Sequence, residues 1–415
     1  MACASANAVA QRGTNSPYSR YGLGELSSSA QGYSKGMGGA GIGVRQGNIV
    51  NTQNPASYSS IDSLTMIFDV GLTGSFTHFT EDGRGANSKS ACFDYLVGSF
   101  RLLPHLGASF GLTPFSDVGY KYTTKDFLDS TNGTITSTYS GEGGLRQVFI
   151  GLGWNPFGGF SVGANVAYLW GDIENSSTSS STTYINSLSR LYTASVNSYK
   201  LDFGLQQVLR LQRDETLTLG ATVGIGHKLG ADAKCLVVET NTVSSARDTT
   251  SYVVENGLSL PLTVGVGAAW TKQNRLTVAA DYTLQKWGAL QFPAIGTTGY
   301  ALSDDQLCDL HRAALGADFV PSAFSRSYYQ RVHYKLGASY TTPYYKIKGN
   351  DGPKRFSLSA GLGLPLQNAY NNRSVLNVSL EWSRSSAKDL ITDNSIRLSV
   401  GLTFNERWFQ KWKVE

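Results

Sequence analysis

Gly107-Ala108-Ser109-Phe110-Gly111 spells G-x-S-x-G, the pattern that places a nucleophilic serine on a sharp strand-to-helix turn. Here the serine falls inside an alternating apolar and polar run, and no helical period follows. Acyl-transfer chemistry therefore lacks its scaffold. Gly36, Gly38 and Gly41 fit G-x-G-x-x-G, but a dinucleotide site needs a strand before the motif and a helix after it. Neither is present, so these glycines are expected to permit turns of positive φ and close backbone packing. The histidines (His78, His105, His227, His311 and His333) show no metal-ligand spacing. The carboxylates Asp69, Asp94, Asp202, Asp281 and Glu381 fall on the polar phase of separate segments. Two of them facing each other could form a catalytic pair. Paired instead with Arg146 or Arg397, they would hold a neighbouring segment in place. The cysteines Cys3, Cys92, Cys235 and Cys308 contain no C-x-x-C and are widely spaced, and with Cys3 removed an odd three remain, so a full disulfide framework cannot form. The reading is therefore a non-enzyme with no metal and no cofactor.

The elements that carry these residues are strands. Charged residues make up 16% and hydrophobic residues 41%, with 46 Gly, 22 Tyr and 18 Phe against only 11 Pro. Soluble domains carry more charge, roughly 25%. The net charge of +5 is scattered, with no basic cluster interleaved with aromatics, so a nucleic-acid partner is not expected. No stretch approaches the ~18 consecutive apolar residues of a spanning helix. That leaves a spanning barrel open, because its strands alternate and average out.

From Leu64 to Phe404 one pattern repeats. Ile396, Leu398, Val400, Leu402 and Phe404 alternate with Arg397, Ser399, Gly401 and Thr403. Leu217, Leu219, Ala221, Val223 and Ile225 do the same against Thr218, Gly220, Thr222 and Gly224. A period of two puts the two sets on opposite faces of one strand. The polar face is rich in Gly, Ser and Thr rather than Lys and Glu, which suits a barrel lumen better than a solvent face. Segments centre on Phe68, Tyr95, Phe110, Phe149, Val166, Leu201, Val223, Val264, Val278, Leu315, Leu336, Leu362, Leu380 and Leu398. Fourteen of them satisfies the even-strand rule for a single-chain bacterial barrel.

The sequence thus predicts an all-β protein: a 14-stranded antiparallel transmembrane β-barrel of the outer membrane, over residues 61–405, with an N-terminal plug over residues 11–60. The plug reading rests on an aromatic, Gly-rich segment without alternation, too apolar for a free linker. Residues 1–10 end in Ala8-Val9-Ala10, an A-x-A cleavage signature, and read as the remnant of an export signal. Residues 406–415 form a C-terminal tail. Among the connections, Asn155–Gly159 reads as a short periplasmic turn and Ser176–Ser189 as an external loop.

The chain resembles the FadL family of outer-membrane transporters for long-chain fatty acids and other hydrophobic compounds. The likeness is carried by Gly36-Met37-Gly38-Gly39-Ala40-Gly41, by Asn54-Pro55-Ala56, by the fourteen segments and by the final strand ending at Phe404. As local motif it covers only residues 36–57. The chain departs from the pattern in running past that terminal aromatic, where Trp408 and Phe409 follow. The resemblance implies that Gly36, Gly38, Gly39, Gly41, Asn54 and Pro55 belong to the plug. It also implies a kinked third strand that opens a hole in the wall toward lipid, here at Thr113, Pro114 and Phe115. Proline has no N–H for the ladder, so Pro114 must sit at a break, a bulge or a strand end.

Two functional readings follow. The first is passive uptake of a hydrophobic small molecule, gated by the plug and released sideways into outer-membrane lipid. The second is a protein-binding barrel, a secretion shuttle or an accessory subunit of an outer-membrane complex, since the family includes a branch acting in type IX protein secretion. Loops Ala294–Gln306 and Phe319–Arg331 are the candidate contacts for such a partner. Fold alone does not separate these readings.

Overall fold

The computed structural model describes residues 14–81, 83–128, 133–182, 186–296, 299–366, 374–388 and 390–406. The expected signal remnant and the C-terminal tail beyond Glu406 lie outside them.

Fourteen strands close into one antiparallel barrel. In chain order they are β1 (Met66–Glu81), β2 (Arg84–Leu103), β3 (Leu106–Leu128), β4 (Gly133–Phe157), β5 (Phe160–Ser181), β6 (Asn186–Gln212) and β7 (Glu215–Gly224). They continue as β8 (Thr263–Lys272), β9 (Leu276–Gln285), β10 (Leu310–Phe319), β11 (His333–Thr341), β12 (Lys354–Pro365), β13 (Val375–Ser386) and β14 (Thr392–Glu406). Each predicted segment centre falls in a different strand. Closure comes from β14 against β1, paired from Met66↔Glu406 to Thr80↔Thr392.

The alternation sorts side chains as expected. Leu398 is 51% exposed, while its neighbour Ser399 is 8% exposed and hydrogen-bonds Thr73 at 2.6 Å. Val148, Ile150, Leu152 and Trp154 line the outer face of β4 in the same way. An apolar belt that encircles the molecule far exceeds the few hundred Å² a water-facing surface tolerates, so its solvent is lipid. Among the described residues no helix is long and apolar enough to cross a membrane. The chain is an outer-membrane β-barrel.

Wall height is uneven. A strand needs only ~9–11 residues to cross a bilayer. Strands β7 to β11 have 9 or 10, but β4 has 25 and β6 has 27. The surplus of β3 to β6 projects from one end. There the hairpin Ala233–Asn241/Arg247–Val254 extends the sheet by pairing with Asn186–Ala194 of β6. This end also carries the long connections 225–262, 286–309 and 342–353. The other end has the turns 104–105, 158–159, 213–214 and 273–275, and so faces the periplasm by barrel convention. Two boundaries differ from expectation. Most of Ser176–Ser189 is strand, because its Ser and Thr side chains bridge β5 and β6, as in Thr178–Ser189 at 2.7 Å. Likewise Asn155–Phe157 belongs to β4, leaving Gly158-Gly159 as the turn.

Residues 14–61 form no long element. They contain two short 3-10 helices, Pro17–Arg20 and Pro55–Ser60, and one turn of α-helix, Gly32–Lys35. Three apolar clusters share this segment. Tyr18 and Leu23 pack with Trp287, Tyr344 and Leu260 from the long connections. Tyr58 and Ile61 pack with Tyr95 and Phe149, and Met37 and Val44 pack with Ala269, Ala279 and Ala314. The apolar core therefore lies between the N-terminal segment and the inner phase of the wall.

Candidate functional site

Pairing between β2 and β3 starts at Leu103↔Leu106 and ends at Leu96↔Leu112. Beyond that point, among the barrel strands, β2 pairs only with β1 and β3 only with β4. Two bulges stand at the parting. On β3 the register against β4 shifts between Pro114 and Ser116, leaving Phe115 unmatched. On β2 the register against β1 shifts between Gly71 and Leu72, leaving Asp94 unmatched. Pro114 has no N–H to continue a ladder. The freed Asp94 carboxylate accepts from Lys35 Nζ at 2.5 Å and from Thr73 Oγ1 at 2.5 Å. Thr113 accepts from Gln147 Nε2 at 2.9 Å.

The N-terminal segment meets both parted edges. Glu25 and Leu26 pair antiparallel with Asp117 and Ser116 of β3, and Ser27 N donates to Phe115 O at 2.9 Å. On the other edge Asn15 Nδ2 donates to Lys89 O of β2 at 2.8 Å. Glu25 also reaches two further strands. Its Oε1 accepts from Arg355 of β12 at 2.8 Å and from Arg397 of β14 at 3.2 Å, while Thr14 Oγ1 donates to Oε2 at 2.8 Å. Burial pushes the Glu25 carboxyl up, but the two guanidiniums outweigh it and hold the group at about 2. Arg397 in turn lies 3.7 Å from Glu381.

The six predicted N-terminal residues sit against the wall at β12, β11, β10, β9 and β6. Gly36 O accepts from Ser359 Oγ of β12 at 3.1 Å, and Gly38 N donates to the same hydroxyl at 2.8 Å. Gly38 adopts φ 65, and a Cβ there would lie 2.6 Å from Ala338 O of β11, so both conformation and space require glycine. Gly39 lies beside Arg312 of β10. Gly41 N donates to Asp281 Oδ2 of β9 at 2.5 Å, joined by Ile42 N at 2.8 Å. Asn54 Nδ2 donates to Ile42 O and to Leu205 O of β6, each at 3.0 Å. Its Oδ1 accepts from Ala56 N at 3.1 Å and caps the 3-10 helix that Pro55 begins. The same close approach explains the misleading serine motif. A Cβ on Gly107 would lie 1.9 Å from Tyr58 O, so this glycine makes room for the segment.

A cavity of about 540 Å³ opens between these elements, lined among others by Phe93, Pro114, Phe115, Arg312, Tyr344 and Arg355. Charged groups line it on both sides, Asp94 and Asp117 at the parted strands and Arg312 and Arg355 on β10 and β12. Glu25 and Arg355 were not singled out by motif. Glu25 did carry a signal, as the only carboxylate between residues 11 and 60. A lone acid beside several lumenal arginines marks an anchor.

The fold is that of the FadL-type channels of the outer membrane. The Ralstonia pickettii toluene transporter TbuX superposes with a TM-score of 0.61 at 13% identity, over 92% of this chain and 98% of that one. The Pseudomonas putida toluene transporter TodX gives 0.61 at 16%, over 93% and 100%. A Pseudomonas aeruginosa FadL homologue gives 0.60 at 12%, over 92% and 98%. No protein with a curated function matches the sequence. Within this class the chain belongs to the BamG family, whose sequence profile matches residues 1–415.

Proposed function

We propose that the protein is an outer-membrane channel for passive uptake of hydrophobic small molecules, with residues 11–60 as the plug and lateral release at Thr113-Pro114-Phe115. One observation carries the reading: the β2–β3 ladder ends at Leu96↔Leu112, and the cavity lining includes the residues of the parted edges. An apolar solute gains nothing from a fully aqueous lumen. A route from the cavity between Phe93 and Phe115 would deliver it to acyl chains directly. The likeness to proteins described as toluene transporters supports this substrate class. In this reading residues 61–405 are the barrel, 406–415 a tail and 1–10 the remnant of an export signal.

The gate is the strip Glu25–Ser27, which occupies the edge of β3. Opening requires that strip to leave Ser116 and Asp117. Uptake needs no covalent step and no cofactor, only exchange between two positions of the N-terminal segment.

A reversible lock tests gate and route together. Leu26→Cys with Ser116→Cys places thiols at directly paired positions. Labelled toluene should enter cells expressing the protein faster than cells without it. Oxidation should slow entry in the double variant, and reductant should restore it. Equal entry in the locked and unlocked states removes the gate. Entry no faster than without the protein removes the channel.

A further inference from the structure

At the short-turn end one connection is longer than its neighbours and carries exposed aromatics. Residues 320–332 join β10 to β11, where the turns at 158–159 and 273–275 suffice elsewhere. Phe324 is 100% exposed and Tyr329 is 77% exposed. The connection is folded rather than loose. Val320 N donates to Arg275 O at 2.8 Å, Ser322 N donates to Gln330 O at 2.8 Å, and Tyr328–Arg331 form one helical turn. Its position relative to the barrel is fixed by Tyr334. That residue points outward with Leu336 and Phe319, and its hydroxyl donates to Tyr329 O at 3.1 Å. The helical turn therefore sits at the lipid-facing rim and continues the apolar belt.

We propose that residues 320–332 form a foot that inserts into the phospholipid leaflet at the short-turn end and binds anionic headgroups. Aromatic side chains at the edge of a bilayer settle at headgroup level. Basic residues beside them add attraction to anionic lipid. Arg326 is exposed, and Arg331 lies with its guanidinium 5.6 Å from the Tyr328 ring centre. From Phe319 to Tyr334 the chain contains no carboxylate. The nearest one, Asp318, faces inward and is taken by Tyr33 at 3.0 Å and His333 at 2.9 Å. Exposed aromatics, the exposed guanidinium of Arg326 and continuity with the lipid belt fit phospholipid as the occupant.

The test uses the full chain in nanodiscs. Phe324→Trp should add emission that brominated phosphatidylglycerol quenches and aqueous acrylamide does not. Quenching by acrylamide alone overturns the proposal. So does shielding found in native membranes but absent from discs of pure lipid, which would assign the foot to a protein partner. Arg326→Ser, outside the helical turn, should lower retention of phosphatidylglycerol relative to phosphatidylcholine by roughly fivefold in native mass spectrometry. Unchanged retention also overturns it.

Discussion

Between β14 and β1 the ladder runs from Met66↔Glu406 to Thr80↔Thr392 without a register shift, whereas between β2 and β3 it ends at Leu96↔Leu112 beside two bulges. Both seams belong to one barrel and share β1 and β2 as near neighbours. They differ in what satisfies the backbone. At the closing seam each strand satisfies the other. At the parted seam Glu25, Leu26, Ser27 and Asn15 supply partners that a neighbouring strand would otherwise give. An open strand edge inside a bilayer is costly, because no water reaches it. The N-terminal segment therefore stabilises the gap while it is in place. Wall and segment share backbone pairing at β3, whereas at β14 the segment is held through side chains such as Glu25 with Arg397.

The largest effect is expected at the closing seam. Leu398→Arg puts a charge on its lipid face and should cost roughly 2–4 kcal/mol near the midplane. Ser399→Arg should be milder, because Ser399 borders the cavity. Urea unfolding of folded barrels in detergent or lipid measures both. Equal damage would break the contrast between the two faces.

Next comes the anchor. Glu25→Ala leaves Arg355 and Arg397 facing each other without the carboxylate. Breaking a buried pair costs ~3–5 kcal/mol. Here side-chain exposures of 23% for Glu25, 31% for Arg355 and 28% for Arg397 screen the loss, so the lower part of that range or less is expected. The loss should appear as faster hydrogen exchange in residues 14–29, with β14 unchanged. Uniform loosening would mean that segment and wall are not separable.

Acid should act at the same place with a defined sign. The Glu25 carboxyl sits below its ordinary value, at about 2, so its contribution is complete above the ordinary carboxylate range of 4.5. It falls as pH drops from there toward 2. Exchange in residues 14–29 should rise across that window in the natural protein. Glu25→Gln should flatten this part of the profile.

Much of the wall was legible beforehand and much of the seam was not. A period of two and an even strand count are properties of single strands. They can be read from Phe68 to Leu398 without knowing any neighbour. Strand ends depend on neighbours, which is why Ser176–Ser189 reads as loop yet largely pairs. The parting of β2 and β3 has two halves. Pro114 announces itself through its missing N–H. The bulge at Asp94 does not, because nothing local distinguishes that carboxylate from Asp69 or Asp202. The hairpin at Ala233–Val254 was missed because its pairing with β6 lies outside the membrane, where the apolar alternation fades.

The smallest expected change in stability is also the sharpest test of the seam. Pro114→Val restores one N–H and frees φ, so β3 can extend its pairing with β2 past Leu112. The side chain stays apolar and of similar size, and the β4 side already pairs at Pro114↔Arg146. A shift of about 1 kcal/mol or less is therefore expected in urea unfolding. Uptake of labelled toluene should nevertheless slow, because the parted edges would be drawn together. Glu25–Ser27 would then compete with β2 for the same edge of β3, and exchange in residues 14–29 should rise slightly. Full uptake by the valine variant would remove lateral release as the route. It would leave the broken ladder as a docking site for the N-terminal segment and move the protein-binding reading to first place.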